Sequence, residues 1–181
     1  MSMKSFLLAV WEVLEVVIVA VATVFIIRTF LVQPFLVSGA SMDPTFNSGN
    51  YLIIDEITYR FREPQRGEVI VFKYPNNPST YYIKRIVSLP GEKVSVQMGK
   101  VTVYNKENPR GLVLEEKYLP PGLRTTGNFT GNLKESEYFV LGDNRNYSYD
   151  SRSWGVLDKK YIVGIARLRL LPIAKAQVFS Y

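Results

Sequence analysis

Ser41 lies in a segment whose residues would suit a nucleophile. It follows Gly39 and Ala40, and small residues before a serine let a substrate backbone approach closely. The chain has 181 residues and contains no histidine and no cysteine, which excludes a Ser-His-Asp triad, a cysteine nucleophile and a His/Cys zinc site. If Ser41 is a nucleophile, its base must therefore be a lysine, a carboxylate or an amino terminus. Taken alone, the segment also fits an ordinary structural loop.

A lysine that could act as this base lies in residues 81–87, a run typical of a β-strand. Strand alternation places Tyr82, Lys84 and Ile86 on one face. An amine between an aromatic and a branched aliphatic side chain can be desolvated, and burial lowers the pKa of a lysine. The neighbouring Arg85 cannot replace it, because its guanidinium stays charged. The strand alone leaves open an edge lysine that reaches into water and discourages aggregation.

A third polar group lies in residues 142–155, between two predicted strands, and contains two Asp, two Arg, two Asn and three Ser. Asp150 could pair with Arg145 or Arg152 through bidentate contacts that fix the segment. A fixed segment could hold a hydroxyl against a neutral lysine amine and orient it. An ordinary surface turn is the alternative interpretation.

The elements that must position these side chains are mostly strands. Short runs rich in β-branched and aromatic residues are separated by turn residues, and helical periodicity is weak after Pro34. The runs are residues 51–54, 68–72, 81–87, 94–96, 100–104, 137–141 and 161–166. The pattern predicts a mainly β fold, an antiparallel β-sheet domain over residues 37–181. Many Gly, Pro, Asn and Thr predict a small loop-rich insertion at about residues 107–134.

The first 36 residues differ from the rest and predict an N-terminal membrane anchor. Residues 16–27 are apolar apart from one threonine, and a spanning helix needs about 20 mostly apolar residues. The span is expected at about residues 13–33, with Pro34 as the helix stop. The net charge of +6 indicates a solvated basic surface, with anionic lipid as the next interpretation, and nucleic acid is not expected.

Two alternatives to an anchor remain open from the residues themselves. The apolar run could be a core helix of a soluble protein, although it is long and apolar on all sides. It could also be a cleavable signal peptide, because Ser38 and Ala40 are small residues three and one positions before Ser41. Cleavage after Ala40 would make Ser41 the new N-terminus, with its own amine as the base.

Four segments, in order behind the apolar N-terminus, resemble the sequence boxes of bacterial type I signal peptidases. They are residues 41–45, 66–72, 82–92 and 142–155. The resemblance covers nearly the whole chain and implies a membrane-bound serine endopeptidase with a Ser-Lys dyad. Such an enzyme removes signal peptides from exported preproteins.

The resemblance also implies roles for individual residues. Ser41 corresponds to the nucleophile, Lys84 to the general base and Ser148 to the hydroxyl that orients the lysine. The structural ion pairs and hydrogen bonds of the loop are implied for Asp143, Arg145, Asp150 and Arg152. The walls of the substrate groove are implied for Met42, Tyr82 and Ile83, with Phe35 and Val37 as further candidates. Gly39 stands where some members carry a serine, so the oxyanion would depend mainly on backbone N–H groups, including that of Ser41.

The implied partners are signal-peptide-bearing preproteins and the lipid bilayer, without nucleic acid, metal or other cofactor. The implied location is the cell membrane, with a single span and the catalytic domain on the extracytoplasmic side. A membrane-tethered β-domain that binds a partner without catalysis is one alternative. A Ser-Lys autoprotease that cleaves its own chain is another, although such proteins usually carry a DNA-binding domain in place of a spanning helix.

Overall fold

The computed structural model describes residues 3–30 and 32–181, and antiparallel strands dominate its second part. The strands are β1 (Val32–Leu36), β2 (Tyr51–Asp55), β3 (Val69–Tyr74), β4 (Asn77–Ser88), β5 (Lys93–Gln97), β6 (Lys100–Tyr104), β7 (Leu112–Val113), β8 (Phe129–Asn132), β9 (Glu137–Leu141), β10 (Leu157–Asp158), β11 (Ile162–Leu171) and β12 (Gln177–Val178). The helices are α1 (Met3–Phe30), α2 (Thr58–Phe61) and α3 (Ser151–Trp154). This architecture confirms the predicted mainly β, antiparallel domain.

The long helix α1 contains 28 residues and precedes the strands. Valine, isoleucine, leucine and alanine dominate its sequence, and described side chains such as Val17 and Val21 are exposed. The helix ends at Phe30, so the expectation that Pro34 stops it is wrong. Pro34 instead lies in the edge strand β1, where a residue without an N–H donor is tolerated. Among the residues that the structure describes, no helix qualifies as a candidate membrane span.

The larger sheet has the strand order β1-β2-β11-β3-β4-β9-β10, with β12 paired to β11. Residues 32–36, which the sequence assigned to the anchor, therefore form the first strand of this sheet. The strand β4 lies inside the sheet, where Lys84 is opposite Ile70 of β3 and Arg85 is opposite Leu141 of β9. The segment of β4 that carries the candidate base thus has a hydrogen-bonded neighbouring strand on each side.

The smaller sheet has the strand order β7-β6-β5-β8. Alternate residues of its two inner strands, Val94 and Val96 of β5 with Val101 and Val103 of β6, are buried in a shared hydrophobic core. The strands β7 and β8 fall within residues 107–134, the predicted loop-rich insertion, and pair with the outer edges of β6 and β5. This part of the chain therefore extends an existing hairpin into a sheet.

A hydrophobic core under the candidate nucleophile anchors the turn that carries it. Met42 and Phe46 are buried together with Leu52 and Ile54 of β2. Burial of the residues on one side of the turn leaves the adjacent Ser41 at the surface of the domain. The core thus leaves Ser41 partly accessible to solvent, unlike Met42 and Phe46 of the same turn.

Candidate active site

Ser41 lies in an irregular segment between β1 and β2, at the start of a hydrogen-bonded turn. The N–H of Asp43 donates to the carbonyl of Ala40 at 3.2 Å, and the N–H of Phe46 donates to the carbonyl of Met42 at 2.9 Å. These two bonds close the backbone immediately around Ser41. Because Met42 and Phe46 are buried, the turn cannot move far without disturbing the core.

The side chain of Lys84 reaches this serine from the middle of the larger sheet. Its Nζ donates to Ser41 Oγ at 2.7 Å and to the carbonyl of Ile83 at 2.9 Å. Only 4% of the Lys84 surface is exposed. The interpretation of Lys84 as an exposed edge-strand lysine is therefore wrong, because β4 is a central strand with neighbours on both sides.

Burial gives the Lys84 amine an unusual acidity. Desolvation lowers the pKa of Lys84 from 10.5 to about 8, against the opposing influence of the Asp150 and Asp143 carboxylates. The aromatic ring of Tyr82 also lies near this amine, with its centroid 5.4 Å from Lys84 Nζ. At neutral pH about a tenth of the molecules would hold this amine uncharged and able to accept a proton.

The pair of Asp150 and Arg152 fixes one end of the polar segment 142–155. The Nε and Nη2 of Arg152 donate to the two carboxylate oxygens of Asp150, each at 2.8 Å. One of these oxygens also accepts the N–H of Gly142 at 3.0 Å. Both pairings considered for Asp150 were plausible from the sequence, and the structure selects Arg152.

Arg145 pairs with an acid that the sequence did not identify. Its Nη1 donates to Glu116 Oε2 at 2.7 Å and to Thr125 Oγ1 at 2.6 Å, and the guanidinium is almost fully buried. Both partners belong to residues 107–134, so this region braces the candidate site. Glu116 lay in a segment read as a loop, and no local pattern distinguished it from other surface acids.

Asp143 also has a partner outside the polar segment. Its carboxylate accepts from Arg85 Nε at 2.9 Å and from the hydroxyl of Thr45 at 2.6 Å. The acid therefore joins β4 to the turn after Ser41. Arg85 directly follows Lys84, and Thr45 ends the motif of residues 41–45 that begins with Ser41. These positions were the available signal for the two residues.

Asn144 was another residue missed by the sequence analysis. Its side-chain Nδ2 donates to the carbonyl of Ala40 at 3.0 Å, and its N–H donates to the carbonyl of Ser41 at 3.1 Å. These bonds clamp the polar segment onto the backbone on both sides of the nucleophile. Its position next to Asp143 in the same motif was the only local indication of this role.

The hydroxyl of Ser148 is buried but has no hydrogen-bond partner among the described residues. The expected hydrogen bond to Lys84 is therefore not present, and the lysine bonds Ser41 and Ile83 instead. Ser148 is nevertheless close to the nucleophile. A Cβ on Gly142 would lie 2.1 Å from Ser148 Oγ and 2.3 Å from the carbonyl oxygen of Ser41. Ser148 and the backbone of Ser41 can therefore both pack against residue 142 only because it is glycine.

Ser41 and Lys84 open onto a cavity of about 360 Å³. Four of the five predicted wall residues line it, namely Phe35, Val37, Tyr82 and Ile83. The prediction for Met42 is wrong, because this side chain points into the core and only 1% of its surface is exposed. The lining also includes residues that the sequence did not suggest, among them Leu52, Val71, Tyr81, Tyr147 and Tyr149.

Gly39 lines the same cavity in a conformation that favours glycine. Its φ is 96°, although a Cβ there would meet no atom within 4 Å. The backbone conformation, not crowding, therefore accounts for glycine at this position. In the part of the chain that is described, the backbone N–H of Ser41 donates no hydrogen bond, and Ser41 is one of the residues that line the cavity.

The described acidic side chains form no group that could hold a metal ion. The charges around the cavity are instead arranged as Arg–carboxylate pairs behind the Ser41–Lys84 contact. This arrangement suits proton transfer between a hydroxyl and an amine in a desolvated setting.

Comparison of the sequence with known proteins identifies the family of this chain. The family described as signal peptidase, peptidase S26, matches residues 10–171. A probable signal peptidase I-2 of Synechocystis sp. is 36% identical over 178 residues, covering 93% of this chain and 77% of that protein. A signal peptidase I of Bacillus licheniformis is 35% identical over 175 residues, covering 91% of this chain and 90% of that protein.

A crystal structure of a signal peptidase I from Enterococcus faecalis aligns with 57% of this chain and 97% of its own, with 30% identity and a TM-score of 0.48. The family match and the two sequence relatives each cover most of the chain, including the segments that carry Ser41 and Lys84. The chain therefore belongs to the signal peptidase family, peptidase S26.

Proposed function

We propose that this protein is a membrane-bound serine endopeptidase that removes signal peptides from exported preproteins, with Ser41 as the nucleophile and Lys84 as the general base. The observation that carries this proposal is the 2.7 Å contact between Lys84 Nζ and Ser41 Oγ, made by a buried amine with a lowered pKa. A buried lysine beside a hydroxyl at the wall of a cavity has a substantial desolvation cost, and catalysis explains why that cost is retained.

The reaction begins with the neutral form of Lys84. Once the amine has lost a proton, the Ser41 hydroxyl donates along the same contact, and Lys84 takes its proton as Oγ attacks the scissile carbonyl carbon. The carbonyl oxygen becomes an oxyanion, for which the backbone N–H of Ser41 is a donor. Lys84 then returns the proton to the leaving amine as the C–N bond breaks, and an acyl-enzyme ester on Ser41 remains.

Deacylation uses the same base a second time. Lys84 removes a proton from a water molecule, and the resulting hydroxide attacks the ester carbonyl. Collapse of the second tetrahedral intermediate breaks the bond to Ser41 Oγ, which recovers its proton from Lys84. The remaining polar residues have a supporting role in this scheme, since Asp143, Asp150, Arg145 and Arg152 hold the loop and Ser148 lies behind the reacting pair.

The cavity suits small apolar side chains on the acyl side of the scissile bond. Val37, Leu52, Val71 and Ile83 are branched aliphatic residues in its lining. We expect such a pocket to favour a small residue such as alanine over larger or charged side chains. One methylene changes a preference of this kind by about 10- to 200-fold. Specificity for small residues one and three positions before the cleavage site is therefore part of the proposal.

Attachment to the cell membrane through α1 is also proposed, with the β domain on the extracytoplasmic side. A helix of 28 residues would be about 42 Å long, which exceeds the hydrocarbon thickness of about 30 Å. Exposed apolar side chains on this helix support the assignment. Attachment would confine enzyme and signal peptide to one plane and raise their effective concentration.

The function is tested by cleavage of a preprotein with the protein reconstituted in lipid vesicles. We expect Ser41→Ala and Lys84→Ala each to lower kcat by at least about a thousandfold, since each residue is required for acylation. Matched controls are Ser79→Ala and Lys73→Ala, which change exposed residues of β4 and β3 and should keep wild-type rates.

Cleavage retained by both Ser41→Ala and Lys84→Ala would contradict the mechanism. A wild-type protein that binds preproteins but cleaves none would favour the partner-binding β-domain. Cleavage confined to the protein's own chain would favour the autoprotease.

A further inference from the structure

The tail segment, residues 172–181, packs against the turn that carries Ser41. It follows β11 and lies beyond residues 10–171, the part that matches the signal peptidase family. Within it, β12 returns along β11, with Val178 opposite Leu168. No residue of the tail segment is among those that line the cavity. Direct contact with a substrate in this cavity therefore does not account for its position.

Phe179 provides the apolar contact between the tail segment and the turn. Its N–H donates to the carbonyl of Arg167 at 2.7 Å, which fixes the backbone directly after β12. Its ring centroid lies 4.7 Å from that of Phe46, at an interplanar angle of 49°. Phe46 is fully buried, and its N–H closes the turn on the carbonyl of Met42. The ring of Phe179 thus completes the core beneath the residues that follow Ser41.

Arg169 provides a polar connection between the same two parts. Its Nη1 donates to the carbonyl of Thr45 at 2.8 Å. Its Nε donates to the carbonyl of Lys175 at 2.7 Å, and its Nη2 donates to Gln177 Oε1 at 2.8 Å. The residue is only 8% exposed, so these bonds are largely protected from water. One buried guanidinium therefore joins the tail segment to the turn.

The turn is held from two sides at Thr45. Its carbonyl accepts from Arg169, while its hydroxyl donates to the buried Asp143 at 2.6 Å. A shift of Thr45 would be transmitted to Ser41, four residues earlier in a short hydrogen-bonded turn. The contact most sensitive to such a shift is the 2.7 Å distance between Ser41 Oγ and Lys84 Nζ.

We propose that Phe179 and Arg169 are positioning residues, through which the tail segment holds Ser41 at reacting distance from Lys84. The inference rests on the proposed function, since it assigns a role in the reaction of the same site. Misplacement of a reacting group by about 1 Å can lower a rate by about a hundredfold. Removal of one of the several contacts that hold the turn should lower the rate by less than this. The loss should appear in kcat and not in KM, because the residues that line the cavity are unchanged.

The test measures preprotein cleavage by the full chain with single substitutions in the tail segment. For Phe179→Ala we expect kcat to fall about tenfold with an unchanged KM. Gln177→Ala removes one anchor of Arg169 at an exposed position, and we expect kcat to fall about threefold. The matched control is Val178→Ala between them, at a side chain that is 74% exposed, and it should keep the wild-type kcat.

Thermal unfolding of each variant separates positioning from loss of the fold. A wild-type kcat for folded Phe179→Ala would overturn the inference. If Phe179→Ala is unfolded at the assay temperature, a wild-type kcat for Gln177→Ala would overturn it instead. A loss in Val178→Ala equal to that in Phe179→Ala would also overturn it, because the effect would then be general to the segment.

A second readout separates this inference from the proposed function. Acylation of Ser41 by p-nitrophenyl acetate, followed by intact mass, needs no preprotein and reports on the nucleophile alone. Slower acylation in Phe179→Ala supports positioning even if the wild-type protein cleaves no preprotein. Equal acylation rates overturn the inference while leaving the proposed function standing, and a wild-type chain that neither acylates nor cleaves overturns both.

Discussion

At Lys84, burial and nearby charges act on one amine in opposite directions. Desolvation lowers its pKa, whereas the Asp150 and Asp143 carboxylates raise it. Both carboxylates are paired with arginines, Arg152 and Arg85, which weakens their attraction for the ammonium. Desolvation therefore prevails, and the amine becomes a base suited to mildly alkaline conditions.

The lowered pKa predicts a specific pH dependence. Because the neutral amine is the reactive form, kcat/KM should rise with pH and level off above an acid limb at about 8. Cleavage rates measured from about pH 6 to 10 would locate this limb, and Lys73→Ala should leave it in place. An acid limb close to 10.5, the ordinary value for a lysine, would contradict the burial argument.

Ser148 gives a second prediction at the scale of one residue. A buried hydroxyl without a partner costs stability, so Ser148→Ala should unfold at the same or a higher denaturant concentration than the wild type. If the hydroxyl helps to position the reacting pair as proposed, kcat should nevertheless fall about tenfold, because a small misplacement of a reacting group slows the reaction. Denaturant unfolding and cleavage kinetics on the same sample measure both effects.

Ser153→Ala, at an exposed serine of the same segment, is the matched control and should change neither quantity. A wild-type kcat for Ser148→Ala would remove Ser148 from the proposed mechanism.

At the scale of elements, β4 supplies two neighbouring charged residues for different purposes. Lys84 reaches Ser41, whereas Arg85 pairs with Asp143 and carries a structural contact. Both residues are 4% exposed, because β4 lies between β3 and β9. The strand thus connects the base, the polar segment and the turn after the nucleophile.

The buried pair of Arg85 and Asp143 predicts a large effect on stability. Asp143→Asn would leave the Arg85 guanidinium buried without its counter-charge, which should lower the free energy of unfolding by about 3 kcal/mol. Denaturant unfolding measures this change. The matched control is Glu115→Gln in the exposed pair with Lys117, which should change stability by less than about 0.5 kcal/mol. Equal effects from the two substitutions would contradict the argument.

At the scale of the whole molecule, the proposed membrane attachment depends on α1. The full chain should float with lipid vesicles in a density gradient, whereas a chain that starts at residue 32 should remain in the dense fraction. Intact mass is measured on the protein of both fractions, because a chain cleaved after Ala40 would lack α1 and remain in the dense fraction. The floated protein should have the mass of the full chain. A full chain that stays in the dense fraction would reject the anchor, and a mass starting at Ser41 would support the terminal-amine base.

Most strands could be predicted because their signal is local. The runs at residues 81–87, 100–104 and 137–141 each fall within or on an observed strand. The strand β1 was missed because its sequence continues the apolar N-terminus and includes Pro34, and only pairing with β2 makes it a strand. Pairing is a long-range property, and composition alone does not reveal it.

The site residues divide in the same way. Ser41 and Lys84 could be chosen because they stand in ordered motifs that resemble those of the family, while the composition leaves lysine among the possible bases. Their roles remain proposals. Met42 was assigned to the groove wrongly because the direction of a side chain in an irregular turn depends on the core beneath it. The partners of Arg145 and Asp143 were also missed, since Glu116 and Arg85 are 29 and 58 residues away in the chain.

The sequence by itself determined the chemistry available to this protein. Without histidine or cysteine, a serine nucleophile can depend only on a lysine, a carboxylate or an amine, and ordered motifs favoured Lys84. The tertiary structure decided that this lysine lies 2.7 Å from Ser41 and has a pKa of about 8. Distance and desolvation both arise from packing among residues far apart in the chain, and therefore only the folded molecule could set them.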